Sequence, residues 1–102
     1  MSVDNKIKVK YADNFYRRFT GLMLKKDIDF ALLFLNLKDS SIHTHFMRFA
    51  IDVYFLDENL VVFEKTTLTP WKFYRPKKQA KYILETKKDY LNLKIGERLD
   101  FI

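Results

Sequence analysis

The stretch Ile51-Asp-Val-Tyr-Phe-Leu-Asp-Glu-Asn-Leu-Val-Val-Phe-Glu-Lys-Thr66 decides the fold that we expect for this chain. Ile51, Val53 and Phe55 alternate with their neighbours, and such period-two alternation is typical of a β-strand with two different faces. Asp57-Glu-Asn59 is a turn signal, and the residues after it return to β-forming composition. The stretch therefore predicts a β-hairpin with a short loop.

The segments on both sides of this hairpin also favour strands. They are either apolar runs bounded by polar residues or alternating patterns, and both suit short strands. The predicted strands outside the hairpin cover residues 7–11, 30–35, 42–48, 80–86 and 98–102. About seven short strands with little helix predict a mainly β protein, built as a sandwich or a barrel.

One short helix is expected near the N-terminus. Asp13-Asn14 offers N-cap oxygens, and Gly21 offers a C-terminal stop. Phe15 and Phe19 between them are four residues apart, so a helical turn would bring them onto one face.

Length and composition limit the class of protein. The 102 residues suit a single domain over 1–102, and 48% of them are hydrophobic. The absence of cysteine excludes disulfides, thiolate catalysis and cysteine-based zinc sites. No segment has the apolar length of a signal peptide or of the ~20-residue membrane span. We therefore expect a cytoplasmic, monomeric protein that does not cross a membrane.

Four segments of the chain form a set of ordered motifs, namely Arg18-Phe-Thr-Gly-Leu-Met23, Thr44-His-Phe-Met-Arg-Phe-Ala-Ile-Asp-Val-Tyr-Phe-Leu-Asp57, Ala80-Lys-Tyr-Ile-Leu-Glu85 and Ile95-Gly-Glu-Arg-Leu99. Together they resemble the motifs of the family called DUF192 or UPF0127. The resemblance runs from about residue 14 to the C-terminus. It implies a jelly-roll-like sandwich with a short helix, and it implies no function.

The chain departs from the family pattern at three positions. Ala50 stands where the family commonly has proline, His45 where an aromatic residue is usual, and Glu97 where the closing turn has aspartate. The histidine matters most, because a mechanism that needs two histidines then has no support from the family pattern.

The first candidate site is polar and lies within these motifs. Arg48 and Asp52 could form a bidentate ion pair across a hairpin or bulge, and Arg18 and His43 could join them. Such a cluster suits a non-catalytic module that binds a small polar or anionic ligand. The structural alternative is an ion pair that fixes the strand arrangement.

The second candidate is a basic aromatic stretch, residues 65–84, which has no acidic residue between Glu64 and Glu85. Cations attract phosphates and aromatic rings stack on bases, so this composition suits single-stranded nucleic acid. The candidate binding residues are Trp71, Lys72, Tyr74, Arg75, Lys77, Lys78 and Lys81. The alternative is a solvated edge whose aromatic residues cover the core.

The third candidate is a metal-assisted enzyme that uses His43 and His45. Residues i and i+2 of a strand project to the same face, so both rings could reach one ion. Zinc needs three or four ligands, and the others would have to be carboxylates such as Asp52, Glu64 or Glu85. The sequence also lacks a glycine-rich phosphate loop and a nucleophile elbow. We therefore expect no catalytic residue, metal or cofactor.

Overall fold

The structure, a computed structural model, describes residues 9–12, 31–35, 39–45 and 47–99. These residues form strands and connecting turns and contain no helix. The strands are β1 (Val9–Ala12), β2 (Ala31–Phe34), β3 (Ile42–His43), β4 (Ile51–Leu56), β5 (Val62–Leu68), β6 (Phe73–Tyr74) and β7 (Tyr82–Lys87). The mainly β prediction is confirmed, and the predicted helix over residues 13–21 lies outside the described residues.

The described strands form two sheets. The larger sheet has five strands in the order β1-β2-β7-β4-β5, and the smaller sheet pairs β3 with β6. All pairings are antiparallel except β1 with β2, which are parallel. Neither sheet closes into a barrel within the described residues, so the arrangement is that of layered sheets.

The predicted hairpin is formed by β4 and β5. Ile51 pairs with Leu68 at one end, and the register shifts between Phe55 and Leu56 before the turn. The Oδ1 of Asp57 accepts the backbone N–H groups of Asn59 and Val61, at 2.8 and 3.0 Å. This aspartate therefore satisfies the donors that the turn leaves unpaired.

Successive side chains of β4 point to opposite faces of the five-stranded sheet, and both faces are packed. Ile51, Val53 and Phe55 pack into one buried cluster that also contains Ile42 of β3, so the two-stranded sheet covers this first face. Tyr54 and Leu56 point the other way and pack into a second cluster. The segment 88–99 covers this second face, and its packed residues are Tyr90, Leu91, Leu93 and Leu99.

One predicted strand is shorter in the structure, and another is described only in part. Of residues 42–48, Ile42 and His43 are in β3, because the chain turns at His45. Of residues 98–102, the structure describes Arg98 and Leu99, and Arg98 makes an isolated antiparallel bridge to Val61. The backbone N–H of Leu99 donates to Leu60 at 2.9 Å, so these two residues pair with the chain just before β5. Gly96 makes the predicted turn, with a φ of 95° that suits glycine.

Candidate functional site

The first candidate site is divided by the large sheet. Asp52 lies on β4 beside Tyr54, on the second face. His43 is next to the buried Ile42, so it lies on the outer side of the sheet that covers the first face. Arg48 is exposed between β3 and β4, and Arg18 lies outside the described residues. The structure therefore does not bring His43 and Asp52 together.

The carboxylate of Asp52 connects elements of the fold. One oxygen accepts the hydroxyl of Thr67 on β5, and the other accepts the backbone N–H of Asp89 at 2.9 Å. Within the described parts of the chain, no ion pair joins Asp52 to Arg48. The carboxylate thus ties the hairpin to the turn after β7, and that turn has a positive φ at Asp89.

A polar cleft of about 500 Å³ lies beside Asp52 on the second face. The Tyr54 hydroxyl donates to the backbone oxygen of Leu91 at 3.1 Å, and the Lys65 ammonium donates to that of Leu93 at 3.0 Å. Burial raises the pKa of Tyr54 above its ordinary 10.0; a hydrogen bond with the backbone of Leu93 opposes this increase, and the nearby carboxylates add to it. The polar groups of this cleft thus bind the segment 88–99 to the sheet.

The second candidate site is assembled on the outer side of the two-stranded sheet. Trp71 and Phe73 are 58% and 59% exposed, and Lys72 and Arg75 are exposed beside them. We call Trp71, Lys72, Phe73 and Arg75 the aromatic–basic surface. Phe73 was not among the predicted binding residues, although its alternation with the inward-facing Tyr74 on a strand would have indicated it.

The remaining predicted cations lie at several positions around this surface. Lys77 and Lys78 are exposed in the loop after β6, and the Lys78 ammonium lies 4.5 Å from the centroid of the Phe63 ring. Lys81 is exposed at the end of the large sheet, where its backbone N–H donates to Leu56.

Tyr74 is partly buried and packs against the core, so its ring is less exposed than those of Trp71 and Phe73. Its ring stacks on Phe55 with the centroids 5.7 Å apart, and its hydroxyl donates to the Glu64 carboxylate. This hydrogen bond, with a smaller contribution from burial, raises the pKa of Tyr74. Glu64 also accepts the backbone N–H of Lys77 at 2.9 Å, so it holds the start of the basic loop.

A buried threonine holds the loop that presents Trp71. Thr44 has no exposed surface, and its hydroxyl donates to the backbone oxygen of Thr69 at 2.7 Å while accepting the N–H of Lys72 at 2.9 Å. Its backbone oxygen accepts the N–H of Trp71 at 2.9 Å. Trp71 itself has a φ of 67°, an unfavourable conformation for a bulky side chain.

The two histidines adjoin this tryptophan. The Nδ1 atoms of His43 and His45 are 3.0 Å apart, which requires a donor on one ring and an acceptor on the other. The rings of His45 and Trp71 are in a T-shaped arrangement, with their centroids 5.5 Å apart. The histidine pair therefore supports the aromatic side chain from beside it.

The described residues do not gather metal ligands around the histidines. They contain no group of three or more histidine, aspartate or glutamate side chains placed to hold an ion. Of the carboxylates considered, Asp52 lies on the opposite face and Glu64 binds Tyr74. The same part of the chain has no helix long and apolar enough to span a membrane.

Comparison with known proteins identifies relatives across nearly the whole chain. The sequence model of the family DUF192, described as "Uncharacterized ACR", matches residues 1–101. A UPF0127 protein of Thermococcus sibiricus is 45% identical over an alignment of 101 positions, which covers 92% of this chain and 66% of that protein. One from Pyrococcus furiosus is 43% identical over an alignment of 102 positions, which covers 94% of this chain and 88% of the relative.

A solved structure shares the fold. The crystal structure of a protein of unknown function from Novosphingobium aromaticivorans matches with a TM-score of 0.71 and 13% sequence identity. The match covers 81% of this chain and 64% of that one, so this chain spans less than two thirds of the neighbour. Because the family match is nearly complete and the relatives are 43–45% identical, this chain belongs to the DUF192 (UPF0127) family.

Proposed function

We propose that this protein is a non-catalytic binding module for single-stranded nucleic acid and that the aromatic–basic surface is its binding site. The observation that carries this proposal is the exposure of two aromatic rings, Trp71 and Phe73, close in the chain to the exposed cations Lys72 and Arg75. Exposed rings stack on bases of any sequence, and cations beside them attract the phosphates.

The conformation of Trp71 adds support. A left-handed conformation costs a residue with a side chain roughly 1–2 kcal/mol, and glycine avoids this cost. Trp71 is 58% exposed, so most of its surface remains accessible to a ligand. Strained residues of this kind are concentrated at ligand-binding sites, where the surrounding structure fixes them.

The charge of the chain suits a phosphate-bearing ligand. The formal net charge is +6, and the exposed cations Lys77 and Lys78 follow the surface along the chain. Electrostatic attraction of this kind favours encounter with an anionic strand.

The small-ligand hypothesis has less support. It needs Asp52 and His43 in one site, and the large sheet lies between them. Both carboxylate oxygens of Asp52 already accept hydrogen bonds within the fold.

The test compares the affinity of variants for a labelled single strand of about ten nucleotides, within the usual site size of small binding domains. Trp71→Gly and Phe73→Ala should each weaken binding about 5- to 150-fold, since stacking on one ring contributes roughly 1–3 kcal/mol. Fluorescence anisotropy at low salt measures the dissociation constants.

The matched control is Ile95→Ala, which removes another exposed apolar side chain, 62% exposed, from the segment over the opposite face. It should bind as the wild type does. Trp71→Gly relieves the backbone and should keep the unfolding free energy within about 1 kcal/mol of the wild type. Wild-type affinity in both ring variants, or no binding by the wild type, contradicts the proposal.

A further inference from the structure

A basic cleft adjoins the aromatic–basic surface on the same side of the molecule. Its volume is about 390 Å³, and its lining includes Arg75, Lys77, Lys78, Gln79 and Asp39. Arg75 belongs both to the cleft and to the surface, because its guanidinium carbon lies 6.0 Å from the centroid of the Phe73 ring. A nucleotide whose base stacks on Phe73 therefore lies next to the cleft.

Hydrogen bonds to Ser41, and from Ser41 to Asp39, fix the position of Arg75. Its Nε–H donates to the Ser41 hydroxyl at 3.2 Å, and that hydroxyl donates to Asp39 Oδ1 at 2.9 Å. The same carboxylate oxygen accepts the backbone N–H of Ser41 at 2.9 Å, so the serine is held at two points. The bond to Ser41 uses the Nε–H of Arg75, so the terminal N–H groups of the guanidinium can bind a ligand. Such groups form the fork that binds phosphate oxygens.

The charge of the cleft suits a phosphate that carries more than one negative charge. Three cations and one carboxylate line it, which gives a formal charge of +2. A phosphate monoester carries about −1.5 to −2 at neutral pH, whereas each internal phosphate of a strand carries a single charge. The cleft thus matches a terminal phosphate better than an internal one.

We propose that the basic cleft binds the terminal phosphate of a single strand whose end base stacks on Phe73. The proposal rests on the proposed function and adds a preference for phosphorylated ends. Arg75 would contact the phosphate oxygens directly, and Ser41 would act as a positioning residue that orients Arg75.

The experiment uses three oligonucleotides of one sequence, with a 5′-phosphate, a 3′-phosphate or hydroxyls at both ends. The wild type should bind one of the phosphorylated strands about tenfold more tightly than the hydroxyl-ended strand, as expected for hydrogen bonds to a charged group. Arg75→Gln should remove this preference and also weaken the binding of all three strands, because Arg75 belongs to the aromatic–basic surface as well as to the cleft.

Two further variants make the result specific. Lys78→Gln should also reduce the preference for a phosphorylated end, and this variant replaces Arg75→Gln in the test if Arg75→Gln is poorly folded. Lys94→Gln removes an exposed cation from the segment over the opposite face and should keep the full preference. Equal affinity of the wild type for all three strands overturns the terminal-phosphate proposal and leaves the proposed function standing. No binding to any strand overturns both.

Discussion

At the scale of single residues, Thr44 determines how the aromatic–basic surface is presented. Its hydroxyl contacts the backbone of Thr69 and Lys72, which are 25 and 28 positions away along the chain. It is buried, and it faces the loop in which Trp71 has a positive φ. An interior hydroxyl thus holds an exposed ring in a conformation that the ring itself disfavours.

Thr44→Val should test this role because valine has the same shape without the hydroxyl. We expect a loss of about 1–3 kcal/mol of unfolding free energy, since the hydrogen bonds to the loop are lost at a buried position. Nucleic-acid affinity should fall as well, because the loop no longer fixes Trp71. Urea unfolding and oligonucleotide titration measure the two effects.

Thr67→Val is the matched control, because it removes an exposed hydroxyl on the opposite face that donates to Asp52. It should lower stability less and leave the affinity unchanged. Normal affinity in Thr44→Val would show that the threonine does not position the ring.

The sequence predicts some of these residues and misses others for a physical reason. Trp71 and its neighbouring cations are identifiable because residues 65–84 lack acids and interleave aromatic residues. Tyr74 is predicted to lie on the same surface, yet strand alternation directs its ring toward Phe55, and the residue is partly buried. The role of Thr44 depends on which distant backbone lies opposite its hydroxyl, and composition carries no information on that.

At the scale of elements, the segment 88–99 acts as the cover of the second face. Gly96 donates its backbone N–H to Val62 at 2.7 Å, and Val62 donates to Glu97 at 2.8 Å. Tyr54 joins the sheet to the same segment through its hydroxyl. The cover is therefore held by side-chain burial, by backbone hydrogen bonds and by one antiparallel bridge between Val61 and Arg98.

Tyr54→Phe should show how strongly this hydroxyl holds the cover. We expect a loss of about 1 kcal/mol of unfolding free energy at neutral pH. Because burial raises the pKa of Tyr54 in the folded state, its contribution is complete below the unfolded value of 10.0 and is lost as the pH rises through the folded value.

The stability difference between wild type and Tyr54→Phe should therefore shrink above pH 10. Denaturant unfolding at a series of alkaline pH values measures this difference. The contribution of Tyr74, whose pKa is also raised, cancels because both proteins contain Tyr74. A difference that is constant across this range would contradict the assignment.

The strands are predicted correctly where packing on the faces of the sheet requires a regular apolar pattern. The β4–β5 hairpin and β7 follow from apolar alternation or apolar runs, since burial enforces those patterns. Residues 42–48 also have the composition of a strand, yet β3 ends at His43 because the chain turns at His45. Apolar side chains such as Met47 are buried in connecting segments as well as in strands, so the pattern alone does not show where a strand ends.

At the scale of the whole molecule, the large sheet separates two chemically different sides. One side carries the aromatic–basic surface and the basic cleft, and the other carries the polar cleft beside Asp52. The sequence motifs predict one site for Arg18, His43, Arg48 and Asp52. The structure separates His43 from Asp52, because one lies on the covering sheet and the other on the far face of the covered sheet.

The account as a whole depends on whether a single strand stacks on Trp71. Trp71 is the only tryptophan of the sequence, so its fluorescence reports this contact without a label. The most direct measurement is a titration of wild-type protein with an unlabelled single strand, followed by tryptophan fluorescence at several salt concentrations.

We predict saturable quenching, with an affinity that falls as salt rises. Three to four phosphate contacts would give a logarithmic slope of about −2 to −3. Tryptophan fluorescence that stays constant at low salt would contradict the central claim. This holds whether anisotropy at the same strand concentrations detects binding or detects none.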